Sequence, residues 1–376
     1  MLSFSAFMKS LPVLILNIIF AGSVQLIIIP LIMPIYPSVF FVTLILSFES
    51  VIIFAMIMLG NDFYGLYMKK IWAFNYSHMY ANIKLVIILG ILQFLISVCF
   101  FYASHPIRTP ILIQVILLGL GILPSVVLSK IILNNNKNYH IKYIIASVCF
   151  LLVSIFLGIV PLLPTLKANI NSFIWCGVYA LGIIFFSLSN VLQEKYISAT
   201  DKKASTKFKL AFYTRLIQLV LTVGMFWIEP LLGYNNTFND FFNNLWTDFI
   251  SSIHLFLSSA FNFWMIQLYV FGRVISYILL IYLNQISANY STIIGNINTQ
   301  ILALFFAIFP HLNKGFHYSV EVTMLNIFCN ISSIIFWIKG EKVNENNSIE
   351  LDDVNNIIEN REEIPLVKKS NMFKIC

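Results

Sequence analysis

Long apolar runs dominate the chain and leave it few ways to fold. Ten of them, at approximately residues 11–33, 37–59, 82–103, 109–133, 143–164, 171–192, 208–232, 258–283, 287–310 and 319–338, reach roughly the 20 residues with which a helix crosses a ~30 Å hydrocarbon core. Stretches such as "LVIILGILQFLISVCFFY" are apolar without interruption, whereas a membrane barrel would alternate over ~10-residue strands. With 59% apolar and only 10% charged residues, the chain also lacks the polar surface to cover a water-soluble globule. The expected class is an all-α polytopic membrane protein of ten transmembrane helices.

The first run follows Lys9 and contains the small residues Ala21, Gly22 and Ser23, as a cleaved signal would. It continues to Met33, past the ~7–15 apolar residues of a signal core, so a retained span is expected. Placing the N-terminus in the cytoplasm and alternating puts 18 of the 23 Lys and Arg on the cytoplasmic side. Only Arg108, Lys167 and Lys314 fall opposite, and Arg215 and Arg273 lie inside predicted helices. That bias fits the direction and the even count, because a missed span would invert every later loop. Nucleic acid is not implied, since topology already accounts for the positive charge. Residues 341–376 hold 5 basic and 8 acidic side chains and read as a disordered cytoplasmic tail, like residues 1–10 a segment outside the bilayer.

Ten spans divide into five-helix halves, 11–164 and 165–340, and an odd number makes the second half enter from the opposite side. Inverted repeats of this kind are common in secondary transporters, with the solute site near mid-depth between the repeats. The hairpins "FFYASHPIRTPILIQVI" (Phe100 to Ile116) and "IYLNQISANYSTIIGNI" (Ile281 to Ile297) carry a trace of the repeat. Each sets an aromatic and a small residue before a polar, Thr-containing helix start.

Catalytic chemistry is not visible. Cys99, Cys149, Cys176 and Cys329 are scattered through spans, Cys376 ends the chain, and the six histidines are equally dispersed. Neither metal spacing nor a GxSxG, HExxH or phosphate-loop pattern occurs, so no metal, no cofactor and no enzymatic activity are expected. Polar residues at membrane depth are the alternative signal, because they are costly unless they face protein or water. Glu49 and Arg273 fit either a solute pathway or an internal lock, and Glu49 is the natural carrier if transport is proton-coupled. Arg215 sits near enough to a cytoplasmic end to snorkel. Span nine carries a polar stripe, Asn289, Thr292, Asn296, Thr299 and Gln300, at three- or four-residue steps, with Asn298 off it and Gly295 beside it. Asn284 and Gln285 are assigned to a wet hairpin before it. Asn235-Asn236-Thr237 falls on the non-cytoplasmic side and can accept a glycan there.

The hairpin leading into "SANYSTIIGNINTQI" resembles the penultimate hairpin of the drug/metabolite transporter superfamily. "PILIQVI" (Pro110 to Ile116), "YPSVFFVTLILSFE" (Tyr36 to Glu49), "LSNVLQEKY" (Leu188 to Tyr196), "FYTRLIQLVLTVGMFWIEPLL" (Phe212 to Leu232) and "NLWTDFISSIHLFLSS" (Asn244 to Ser259) are similar to its chloroquine-resistance-transporter-like family. The resemblance implies two inverted five-helix repeats, a lumenal surface helix near 241–256, and a location in a vacuolar or other endomembrane with both termini cytoplasmic. It implies a central cavity lined by spans one, four and nine, hence by Gln25, Gln114 and Asn296. The full set of pathway residues expected is Gln25, Glu49, Gln114, Asn190, Arg273, Tyr290, Thr292, Asn296 and Gln300.

Two departures bear on the solute. Arg273 stands near where those relatives carry an acidic residue, which argues against a cationic substrate. The pair Gly295-Asn296 is followed by Ile297 and Asn298, without the Lys found two residues after the Asn in nucleotide-sugar and triose-phosphate relatives. The expected function is secondary-active transport of a small polar organic solute across the lipid bilayer. A nucleotide-sugar exchanger and a non-transporting scaffold or receptor of the same fold are the alternatives.

Overall fold

The computed structural model describes residues 19–69, 82–106, 108–133, 141–162, 170–200, 204–231, 241–284, 287–312 and 318–340. The described residues contain helices and no strand. In chain order the helices are α1 (Ile19–Ile32), α2 (Val39–Lys69), α3 (Ile83–Ala103), α4 (Ile111–Ile132), α5 (Ile141–Ile159) and α6 (Ile170–Ala199). They continue as α7 (Ala204–Gly224), α8 (Phe241–Ser258), α9 (Ala260–Asn284), α10 (Ala288–Ile308) and α11 (Val320–Gly340). Eight of them are long and apolar enough to cross a membrane, which makes the chain an integral multi-pass membrane protein. The remaining two expected runs are α1, described over only its last turns, and α7, which carries Lys207, Lys209 and Arg215. The glycan acceptor Asn235, the 1–10 segment and the 341–376 tail lie outside the described residues.

Large apolar side chains face outward along whole helices, among them Phe48, Met56 and Phe63 on α2 and Phe261, Trp264 and Phe271 on α9. In water such surfaces would drive aggregation; against lipid tails they cost nothing. Several helices overrun the spans read from hydropathy. At 31 residues α2 is roughly 46 Å long, more than the ~30 Å hydrocarbon core requires, so its end must leave the bilayer or the helix must tilt.

Helix α4 is not continuous. It breaks at Gly121 into Ile111–Leu120 and Ile122–Ile132. Pro124 explains the position: it has no N–H for the carbonyl of Leu120, and its ring crowds that same carbonyl. The side chains of other helices hold the carbonyls at the break, Asn296 of α10 donating to Gly119 (3.2 Å) and Ser187 of α6 to Gly121 (3.0 Å).

With little hydrophobic drive between helices in lipid, polar seams fix their pairing. Between α4 and α10, Ser125 and Ser129 donate to Asn289 Oδ1, and Thr292 donates to Ser125. Between α5 and α11, Asn326 and Asn330 donate to Ser154, and the hydroxyls of Ser147 and Ser333 meet at 2.7 Å. Between α2, α3 and α7, Gln218 Nε2 reaches Ser97 (2.7 Å) and Ser47 (3.4 Å).

Helix α8 covers the residues where a surface helix was expected, and its last residues run directly into α9. Leu245, Ser252 and Phe256 are buried on one side, Phe249 packs against Phe40 and Phe41, and Trp246, Ile250 and Leu257 are exposed on the other. The run read as span seven ends earlier than expected, at Gly224. After it, the single helical turn Ile228–Leu231 brings the Glu229 carboxylate to the start of α2, where it accepts from Val39 N–H (2.8 Å), Phe40 N–H (3.2 Å) and the Ser38 hydroxyl (2.8 Å). A buried acid thus satisfies donors that the first turn of a helix leaves orphaned. Glu229→Ala is expected to lower stability by about 2–4 kcal/mol, because these donors are left buried without an acceptor. Thermal unfolding in detergent measures it, with Glu229→Gln recovering part of the loss; an alanine variant that melts like the parent refutes the role.

Candidate functional site

Seven helices, α1, α3, α4, α6, α7, α9 and α10, line a partly open cavity of about 150 Å³. One water needs only ~10–15 Å³ by the same kind of measure, so the space suits a small solute. Each helix brings a specific group to it. Helix α1 can approach α9 and α10 closely because Gly22 and Gly272 carry no Cβ: one on Gly22 would strike Asn298 Nδ2, and one on Gly272 would stand 3.0 Å from the carbonyl of Ala21. The close approach carries Gln25 to the cavity, where its Nε2 donates to the Tyr269 hydroxyl at 3.5 Å. The break in α4 puts Gly121 on the wall.

Two guanidiniums dominate the electrostatics. Arg215 of α7 and Arg273 of α9 lie near the middle of their helices, are 3% and 7% exposed, and both line the cavity. Arg215 Nη1 donates to Gln218 Oε1 (2.6 Å), and its guanidinium stacks on Tyr277 with 4.0 Å to the ring centre. Arg273 Nη2 donates to the Ser97 hydroxyl (3.1 Å), and its guanidinium faces Phe101 at 5.8 Å. Because Gln218 Nε2 also reaches Ser97, one chain of hydrogen bonds runs Arg215–Gln218–Ser97–Arg273. The two charges are near enough to repel each other.

A second polar group sits between α6, α9 and α10. Asn284 Nδ2 donates to Gln193 Oε1 (2.9 Å) and Asn190 Oδ1 (3.5 Å), and its Oδ1 accepts from Ser291. Gln193 Nε2 reaches the Tyr277 hydroxyl at 3.3 Å, and Asn190 and Gln193 both line the cavity.

Of the residues singled out in the sequence, Gln25, Asn190, Arg273, Thr292 and Asn296 meet at this cavity. Three others lie off its wall. Gln114 is buried in the α3–α4 hairpin, donating to the carbonyls of Ser104 (3.0 Å) and Thr109 (2.7 Å). Gln300 turns back on its own helix, to the carbonyl of Asn296 and the hydroxyl of Thr299. Glu49 on α2 accepts from Gln267 Nε2 at 2.8 Å. Tyr290 is in α10, but its side chain lies outside what is described.

Three readings change. Arg215 does not snorkel: it is buried and faces the cavity. Asn284 is not in a wet hairpin but fully buried, while Gln285 lies outside the described residues. Asn298, off the polar stripe by phase, lines the cavity through the space Gly22 leaves. Gln93, one of the polar residues within the apolar runs, and Tyr277, which did not stand out in the sequence, also line the wall. Among the described residues no group of His, Cys, Asp and Glu could hold a metal ion. No family model matches the chain, and no curated protein matches it significantly. The cavity itself therefore carries the functional reading.

Proposed function

We propose that the protein is a secondary-active transporter that moves a small polar organic solute across an endomembrane by alternating access. The observation that carries this reading is the cavity at mid-helix depth, where two buried arginines and several amides stand among apolar side chains, walled in part by the break in α4. Exposed backbone and charge at membrane depth are expensive, and discontinuous helices bordering a central site are a recurring solution in transporters. On this reading α1 and α7 are also spans, giving ten, with both termini cytoplasmic as the charge bias implies.

The helix pairing supports two inverted five-helix repeats of the drug/metabolite transporter type. A two-fold axis exchanging the halves would map α2 on α7, α4 on α10 and α5 on α11, and each of these pairs is in contact. It would also exchange the pair α3–α7 with α9–α2, and both pack together. In each half the fourth residue of the helix after the hairpin folds back onto it: Gln114 to Ser104 and Thr109, and Ser291 to Asn284.

The test is reconstitution of the full chain in liposomes preloaded with a mixture of polar metabolites, with exchange of labelled compounds followed by mass spectrometry. Protein-dependent exchange of one compound class is expected; no exchange of any component refutes transport. Coupling is tested separately with Glu49→Gln. If Glu49 carries the proton, this variant takes up solute at a rate indifferent to an imposed pH gradient, and an unchanged gradient response removes Glu49 from that role.

A further inference from the structure

Several hydrogen-bond donors on the cavity wall are left without an acceptor. Arg273 Nη1 and Arg215 Nε are buried and have no hydrogen-bond partner. Asn190 Nδ2 and Ser276 Oγ, on the same wall, are buried and unpartnered as well. Neither arginine has a carboxylate partner among the described residues. Glu49, the acid at membrane depth on the neighbouring α2, is engaged by Gln267 instead. The other titratable groups facing the arginines are the phenols of Tyr269 and Tyr277, which bring no full negative charge while protonated.

An uncompensated guanidinium in a low-dielectric site is strongly unfavourable, and two that repel each other more so. The bonds already made do not relieve this, since Gln218, Ser97 and the aromatic faces are neutral. What fits the unpartnered N–H groups is an oxyanion, which accepts at several lone pairs and takes charge-assisted bonds from guanidinium. The rest of the wall suits a partly apolar body: Phe101, Tyr269 and Tyr277 give aromatic faces, and Asn190 gives a neutral donor.

We infer that the solute is an organic anion whose carboxylate or phosphate group binds between Arg215 and Arg273, with its remaining polar group towards Asn190. The inference uses the transporter reading for the solute's passage but not for its binding, and the two are separable. The Arg215–Gln218–Ser97–Arg273 chain has a matching role: Gln218 and Ser97 hold one nitrogen of each guanidinium and leave Arg215 Nε and Arg273 Nη1 to donate to the solute.

The experiment uses the full-length protein purified in detergent, with thermal stabilisation and calorimetry as readouts. Succinate and glycerol 3-phosphate are the anionic probes and separate carboxylate from phosphate; putrescine and glucose are the cationic and neutral controls. At least one anion is expected to bind and raise the melting temperature, with no effect from putrescine or glucose. Arg273→Gln and Arg215→Gln are each expected to weaken that binding by about 10- to 100-fold, with Arg273→Lys intermediate. Binding of putrescine or glucose in place of the anions, no binding of either anion to the parent protein, or anion affinity unchanged in both glutamine variants each overturns the inference. The parent protein alone decides between anion, cation and neutral solute, so a variant that fails to fold leaves the test intact. Counterflow of the same probes in liposomes then separates the claims. Anion binding without counterflow sinks the transporter and keeps the anion site, whereas counterflow of putrescine or glucose alone does the reverse.

Discussion

Pro124→Ala is expected to lower solute exchange by more than about 10-fold while raising thermal stability by about 1–3 kcal/mol. Proline within a helix removes one backbone hydrogen bond and crowds the carbonyl four residues earlier, and alanine relieves both. Alanine's N–H would return the carbonyl of Leu120 to the helix's own ladder and straighten α4 past Gly121, moving the carbonyls of Gly119 and Gly121 relative to Asn296 and Ser187. Its second half would also swing, shifting Ser125 and Ser129 from their seam with Asn289 and Thr292. Gly121 would then leave the cavity wall, and the α4–α10 contact would lose its polar bonds. Melting in detergent and counterflow in liposomes measure the two effects on the same preparation. A variant that exchanges solute as fast as the parent shows that the break is incidental to transport.

The break also shows where sequence reading stops. Hydropathy delimits the apolar runs well, because lipid solvation acts on each helix separately: the eight long apolar helices and the polar face of α10 follow from period and composition, whereas a helix at α8 was expected only from the family resemblance. The signal for the α4 break was in "GLGILPS", yet proline within an apolar run leaves the hydropathy unchanged, so the run still reads as one span. The misread polar residues share a different cause. Asn284 ends its helix, and end positions normally meet water; its burial depends on Gln193, 91 residues away. Arg215 reads as near a span's end when the apolar run is taken as 208–232, but the helix runs from Ala204 to Gly224, which puts Arg215 at its middle, packed against α2 and α3. Asn298 is off-phase on α10, but Gly22 on α1 opens the space it occupies. In each case one helix fixes the residue type and another fixes its environment.

Gln114 and Asn296, amides in two spans expected to line one cavity, are expected to fail in opposite ways. Gln114 is 2% exposed, and its amide holds two loop carbonyls, those of Ser104 and Thr109. Leucine there leaves both acceptors buried without a donor, a loss of about 2–6 kcal/mol against a total stability of ~5–15 kcal/mol. Gln114→Leu should therefore lower the melting temperature steeply and cut the yield of folded protein, with exchange per folded molecule largely kept. Asn296 holds one carbonyl, that of Gly119, and lines the cavity. Asn296→Leu should cost only about 1–3 kcal/mol yet reduce exchange per folded molecule to background, since it removes a polar wall group and releases the break in α4 at one stroke. Size-exclusion yield, melting temperature and counterflow, measured on both variants side by side, distinguish the two outcomes. Equal exchange by Asn296→Leu and the parent would remove α10 from the solute pathway, and unaltered melting of Gln114→Leu would remove the hairpin lock. The distinction follows from where each amide's hydrogens go: into a loop that must be held, or to a carbonyl on the wall that the solute meets.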